Sequence, residues 1–237
     1  MANIKAFKAV RPTRDKAYLV ASRSYLSYSE NTLREKLINN PYTFLHIINP
    51  EYSNDSPILK GKEKYKMVKE KYEQFSSDGV FVTEKSSSFY IYQQISSENT
   101  YTGIIAATSV EDYVNGKIKI HEQTIAKRQE MFTEYLHSTG FNAEPVLLSY
   151  SKVPRVNEIL DLYMRERSEY EFTSTNKVLH NLWIINKQTD INEIQSLFKD
   201  VESLYIADGH HRSASSALLC KNRNSRQNTN TNKGSHN

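Results

Sequence analysis

One cysteine, Cys220, stands in a chain of 237 residues. A lone thiol closes no internal disulfide and builds no cysteine-rich zinc site, so a disulfide-stapled scaffold and a zinc ribbon are excluded and a reducing compartment fits. Long apolar runs are missing too. Residues 1–10 hold no continuous hydrophobic segment of the kind a secretory signal or membrane anchor needs, which predicts a soluble, cytoplasmic protein with no membrane partner. Nor is there a strong charge of either sign: 31 Lys and Arg against 27 Asp and Glu leave a net +4. Much of that excess lies where Lys221, Arg223, Arg226 and Lys233 follow the last acidic residue, Asp208. The body is therefore nearly neutral, which argues against nucleic-acid binding as the main role.

Two familiar catalytic signatures are absent as well. The Gly-Lys pairs at 61–62 and 116–117 lack the rest of a Walker A loop. His121-Glu122 opens like the zinc-protease pattern His-Glu-x-x-His, but position 125, where the second histidine belongs, is isoleucine. No internal repeat is found.

What is present is enough for a packed core and alternates between strand and helix patterns. Ile4–Val10 reads as a strand ended by Pro12, residues 16–21 as a short extended piece, and Thr43–Asn49 as a central strand carrying a core histidine, His46. Phe89–Ile95 and Tyr101–Thr108 read as a hairpin, and residues 145–150, 178–185 and 204–207 as further strands. Helices are predicted from about Ser29 to Asn40, 64 to 75, 125 to 138, 156 to 164 and 191 to 198. Residues 51–63, with Pro57, form a polar connection. The fold class expected is mixed α/β (α+β), a central mixed sheet with flanking helices, over residues 1–221. From Asn222 onward Asn, Ser, Thr, Lys and Arg dominate, and a disordered polar tail over 222–237 is expected.

The densest chemistry is Asp208-Gly209-His210-His211-Arg212-Ser213, between the apolar run Leu204–Ala207 and a helix-like stretch of small residues. A strand, a glycine turn and a helix start present free backbone N–H groups and a positive dipole end to an anion. Gly209 with His210, Arg212 and Ser213 would cradle phosphate oxygens, His211 would donate to them, and Asp208 would orient a histidine or hold a metal. A second group, His121-Glu122-Gln123-Thr124, sits at a strand-to-helix junction. Thr124 is a candidate helix cap or ligand contact, and Glu122 a candidate general base or Mg²⁺ ligand beside His121. His180 near Trp183 reads as a packing or hydrogen-bonding residue.

Several of these segments together resemble one family: Ile4–Pro12, Phe89-Tyr90-Ile91-Tyr92, His121-Glu122-Gln123-Thr124, His180-Asn181-Leu182-Trp183 and Tyr205–Arg212. The combination, from residue 4 to about 220, is similar to the bacterial and archaeal family catalogued as domain of unknown function 1015. The Asp-Gly-His-His-Arg box also resembles the Gly-x-His-Arg phosphate-binding turn of the ParB and sulfiredoxin superfamily, which includes nucleotide-dependent kinases of free serine. That likeness implies nucleotide phosphates on Gly209, His211 and Arg212, with an acidic residue assisting transfer. Family members usually continue past this box with another large segment, so the chain is expected to be a C-terminally truncated form.

The function expected is a nucleotide-dependent phosphotransferase. It would use ATP or ADP with Mg²⁺ on a small hydroxyl metabolite, free L-serine being the leading candidate; a homo-oligomer is compatible with it. His121, Glu122, Asp208 and His211 are the candidate catalytic residues, and Glu122 and Asp208 the candidate metal ligands. The alternatives are a non-enzymatic nucleotide- or phosphate-binding module, and a metal-assisted phosphoester hydrolase. The phosphotransferase reading predicts that residues 121–124 and 208–212 meet in space.

Overall fold

The computed structural model describes residues 2–53 and 59–233, with side chains left aside at 52–53 and 226–233. The chain opens with β1 (Ile4–Lys5) and β2 (Val10–Pro12), then α1 (Ala17–Val20), α2 (Glu30–Asn39), α3 (Leu45–Ile48) and α4 (Lys62–Ser77). Next come β3 (Phe81–Thr83), β4 (Phe89–Ile95), β5 (Thr100–Ile105), β6 (Ala107–Thr108), α5 (Val110–Val114), β7 (Ile118–Lys119) and α6 (Ala126–Thr139). The last part holds β8 (Leu147–Ser149), α7 (Pro154–Met164), β9 (Tyr170–Thr173), β10 (Leu179–Ile185), α8 (Gln188–Lys199), β11 (Leu204–Asp208) and α9 (His210–Lys233). The class is the mixed α+β one that the patterning predicts.

The single central sheet expected from the sequence is replaced by several smaller ones. Four antiparallel strands run β5-β4-β10-β9, three run β7-β11-β8, and β1-β6 and β2-β3 are two-stranded pairs. The hairpin β4-β5 forms as predicted, and β4 continues its pairing onto β10 from Phe89↔Ile185 to Ile95↔Leu179. Because side chains alternate along a strand, Phe89, Ile91, Trp183 and Ile185 share one face. Against it pack Val156, Ile159 and Leu160 of α7 and Ile191, Ile194 and Phe198 of α8. Burying each side chain of this size contributes roughly 1.5–3 kcal/mol. Pro154 opens α7 at a position where its missing N–H costs no bond. The Trp183 indole N–H is satisfied by the Glu166 carbonyl at 2.9 Å. Ile118, Leu204 and Ile206 belong to this same core, so the small mixed sheet is anchored to the larger one.

Two of the expected strands are helical turns. Residues 17–20 form α1, and Leu45–Ile48 forms α3. In a strand Leu45 and Ile47 would point the same way; at about 100° per residue a helical turn sends them to nearly opposite sides. Ile47 enters a cluster with Val20, Val68 and Phe75, while Leu45 joins Leu33 and Leu37. Two separate clusters decide the matter, and local β-propensity loses. His46 is half-buried, with Nε2 3.1 Å from the Asn40 carbonyl. α2 starts where predicted, Ser29 accepting the Thr32 amide as its cap. Strand β9 is not among the expected strands, although Tyr170-Glu171-Phe172-Thr173 alternates as a half-buried strand does.

The polar connection over 51–63 is described only at its ends, and 54–58, including Pro57, lie outside the described residues. α9 runs on to Lys233, through much of the stretch whose composition predicts disorder, as a continuation of the helix that starts at His210; 234–237 lie outside the described residues. Among the described residues no helix is long and apolar enough to cross a membrane.

Candidate active site at the β11–α9 junction

β11 is the middle strand of the three-stranded sheet, with Leu204 and Ile206 buried and Tyr205 exposed. It runs parallel to β7, with Leu204 opposite Ile118 and Tyr205 opposite Lys119. Parallel neighbours end at the same edge of a sheet, where α/β proteins gather their ligand sites. The chain leaving β7 at Ile120 and the chain leaving β11 at Asp208 are thus delivered side by side. That pairing joins stretches more than eighty residues apart in the sequence.

Gly209 makes the turn with φ +99°. A side chain there would be strained by that angle, and its Cβ would stand 3.1 Å from Arg212 Nε and 3.2 Å from Val146 Cγ2. α9 begins at once. The Ser213 amide donates to the Gly209 carbonyl at 3.0 Å, whereas among the described residues no acceptor meets the amides of His210, His211 or Arg212. The helix is held by its small residues. Ala214 and Ser215 are buried against α6, where Gln129 donates to the Ala214 carbonyl at 3.2 Å and the Thr133 hydroxyl to the Ser215 carbonyl at 3.4 Å.

The two sequence motifs meet. The rings of His121 and His210 stand edge to face with centroids 4.4 Å apart. Nδ1 of His210 lies 3.7 Å from Glu122 Oε2, too long for a direct hydrogen bond. His210 is only 5 % exposed, and its Nε2 is buried with no hydrogen-bond partner. His121 and Glu122 are exposed. The site thus has a buried imidazole behind an accessible imidazole and carboxylate. His211 turns elsewhere: it stacks on Phe132 at 6.4 Å, with Nδ1 buried and unpartnered.

Arg212 stands differently from the phosphate ligand expected of it. Nη1 donates to the Pro145 carbonyl at 2.6 Å and to Glu144 at 3.2 Å, and Nη2 donates to Asp208 at 2.5 Å. The guanidinium lies folded over Gly209 and ties the elbow to the residues leading into β8. Asp208, largely exposed, is the other half of this clamp. Glu144 and Pro145 carry no motif, so sequence reasoning passed over them. Thr124 is half-buried and does not cap α6: the cap position falls on Ile125, one residue later, with no side-chain bond. Ser213 contributes the helix bond described above. Glu122 faces His210 while Asp208 faces Arg212, and among the described residues no group of three or more His, Cys, Asp or Glu could hold a metal ion.

Residues 4–237 match the family described as "Protein of unknown function (DUF1015)". No curated protein and no solved structure matches the chain.

Proposed function

The chain belongs to the DUF1015 family, and we propose that its β11–α9 junction binds the phosphate groups of a nucleotide and passes one to a small hydroxyl metabolite, L-serine being the first to test. The observation carrying this reading is the meeting of buried His210 with exposed Glu122 and His121 beside the unbonded first amides of α9. Those amides and the helix dipole favour an oxyanion. Glu122, assisted by His121, takes the proton of the attacking hydroxyl as that oxygen bonds to the terminal phosphorus and the bridging P–O bond breaks toward the nucleotide. His210 positions Glu122 from behind. Its free Nε2 is buried, so it does not itself reach the reacting atoms. Asp208 is held by the Arg212 guanidinium and Glu122 faces His210, so the reading does not call on a protein-held Mg²⁺. Mg²⁺ would enter as part of the nucleotide substrate, on its phosphates. A cytoplasmic setting fits a chain whose lone cysteine is free.

One observation favours a second reading, a nucleotide- or phosphate-binding module without turnover. Phosphoryl transfer leans on cations around the transferring group, and the nearest guanidinium, Arg212, is held by Asp208, Glu144 and Pro145. The experiment is incubation of the full chain with ATP or ADP, Mg²⁺ and L-serine, followed by ³¹P spectroscopy. A serine phosphomonoester that disappears in Glu122→Gln supports the transferase. Nucleotide binding without product supports the module, and phosphate released from an added monoester supports a hydrolase. No binding of nucleotide or phosphate ends the phosphoryl reading.

A further inference from the structure

The four-stranded sheet has a second face, turned away from the main core, and there the alternation of β4, β9 and β10 places Tyr92, Phe172 and His180. Helices α1 to α3 lie over it and leave an open cleft of about 730 Å³, a size typical of small-molecule sites. Its wall is built from rings. His180 lies nearly parallel to Phe172, centroids 5.1 Å apart at 21°, and to Tyr92, 6.0 Å apart at 19°. Both imidazole nitrogens are held, Nδ1 2.7 Å from the Tyr92 hydroxyl and Nε2 2.9 Å from Ser174 Oγ. The wall is therefore rigid, and the histidine has no spare donor or acceptor for other protein groups.

Two cations stand on the helical side of the cleft. The Arg23 guanidinium lies 5.9 Å, and Lys36 Nζ 5.1 Å, from the centre of the Tyr28 ring. Glu35 also lines the cleft, yet among the described residues neither cation is paired with it or with any other carboxylate. A cleft with an aromatic wall and two unpaired cations selects a ligand that is apolar and flat at one end and negative at the other.

We propose that this cleft binds a small planar aromatic or heteroaromatic anion, its ring against the Tyr92–His180–Phe172 wall and its carboxylate or phosphate held by Arg23 and Lys36. The cleft shares no lining residue with the β11–α9 junction, so it is a separate site and does not depend on the phosphoryl reading.

Calorimetric titration of the full chain with AMP and with 4-hydroxyphenylacetate tests the two sources of such an anion. Each is compared with its uncharged counterpart, adenosine or 4-methylphenol. The expected result is saturable binding of at least one anion below about 1 mM, at least about tenfold tighter than its neutral counterpart. The double variant Arg23→Ala/Lys36→Ala should weaken that binding by about tenfold or more, and His121→Ala should leave it unchanged. Binding of neither anion overturns the proposal. So does equal affinity in the double variant, or loss of binding in His121→Ala instead. Neither Arg23 nor Lys36 is buried, so circular dichroism of the double variant should match the parent.

Discussion

Arg212 closes over Gly209 onto Asp208, Nη2 to Oδ2 at 2.5 Å, so that one turn of chain is clamped by its own side chains. The same guanidinium reaches the Pro145 carbonyl at 2.6 Å. The elbow at the head of α9 is therefore a braced turn, and its glycine lies beneath the brace.

Gly209→Ala should lower stability by roughly 1–3 kcal/mol, since a non-glycine residue at φ +99° is strained and its Cβ would push on Arg212 and Val146. Urea unfolding checks it. An unchanged midpoint would mean the turn relaxes freely and the brace is loose.

Arg212→Ala should cost about 1 kcal/mol of stability, because the Pro145 carbonyl and two carboxylates lose their donor. Any effect on phosphate or nucleotide affinity should stay small beside that. Arg212→Lys should not restore stability, as one ammonium cannot serve three acceptors in the guanidinium's fixed geometry. A large loss of nucleotide affinity with an unmoved melting temperature would return the guanidinium to the ligand.

Glu122→Gln should leave the unfolding midpoint in place, its side chain being 63 % exposed. Phosphoserine formation should fall by about 10²–10⁴-fold if the carboxylate is the proton acceptor. His210→Gln should slow phosphoserine formation while leaving nucleotide affinity nearly intact, the split expected of a residue that positions Glu122.

Burial holds the imidazoles of His180 and His46 below their ordinary value of 6.5, the bond to the Asn40 carbonyl partly opposing this for His46. As pH falls through 6.5 the unfolded chain takes up protons first, so unfolding is favoured. The stability these groups contribute is full above 6.5 and is lost as pH drops toward their depressed folded values. Urea midpoints should therefore fall between about pH 7.5 and about pH 5.5, and less steeply in His180→Phe. A slope identical in parent and variant would mean His180 titrates alike in both states.

Much of the site was readable because its signals are local. An apolar run, Asp208-Gly209 and small residues after Arg212 announce strand, turn and helix from nearest-neighbour preferences alone. The hairpin β4-β5 and the cap at Ser29 were legible for the same reason. Thr43–Asn49 was not: a short apolar run suits strand or helix equally, and the two clusters that receive Leu45 and Ile47 form from distant parts of the chain.

By itself, then, the sequence determined the fold class, the family and the strand–glycine–helix order of the site, all set by residues close together along the chain. Only the tertiary structure decided that β7 lies parallel to β11, bringing Glu122 to His210, and that Glu144 and Pro145 take the Arg212 guanidinium. It alone also gathered Tyr92, Phe172 and His180 opposite Arg23 and Lys36. Long-range partners are chosen by how whole surfaces pack, and a charged side chain goes to the nearest acceptor that packing provides.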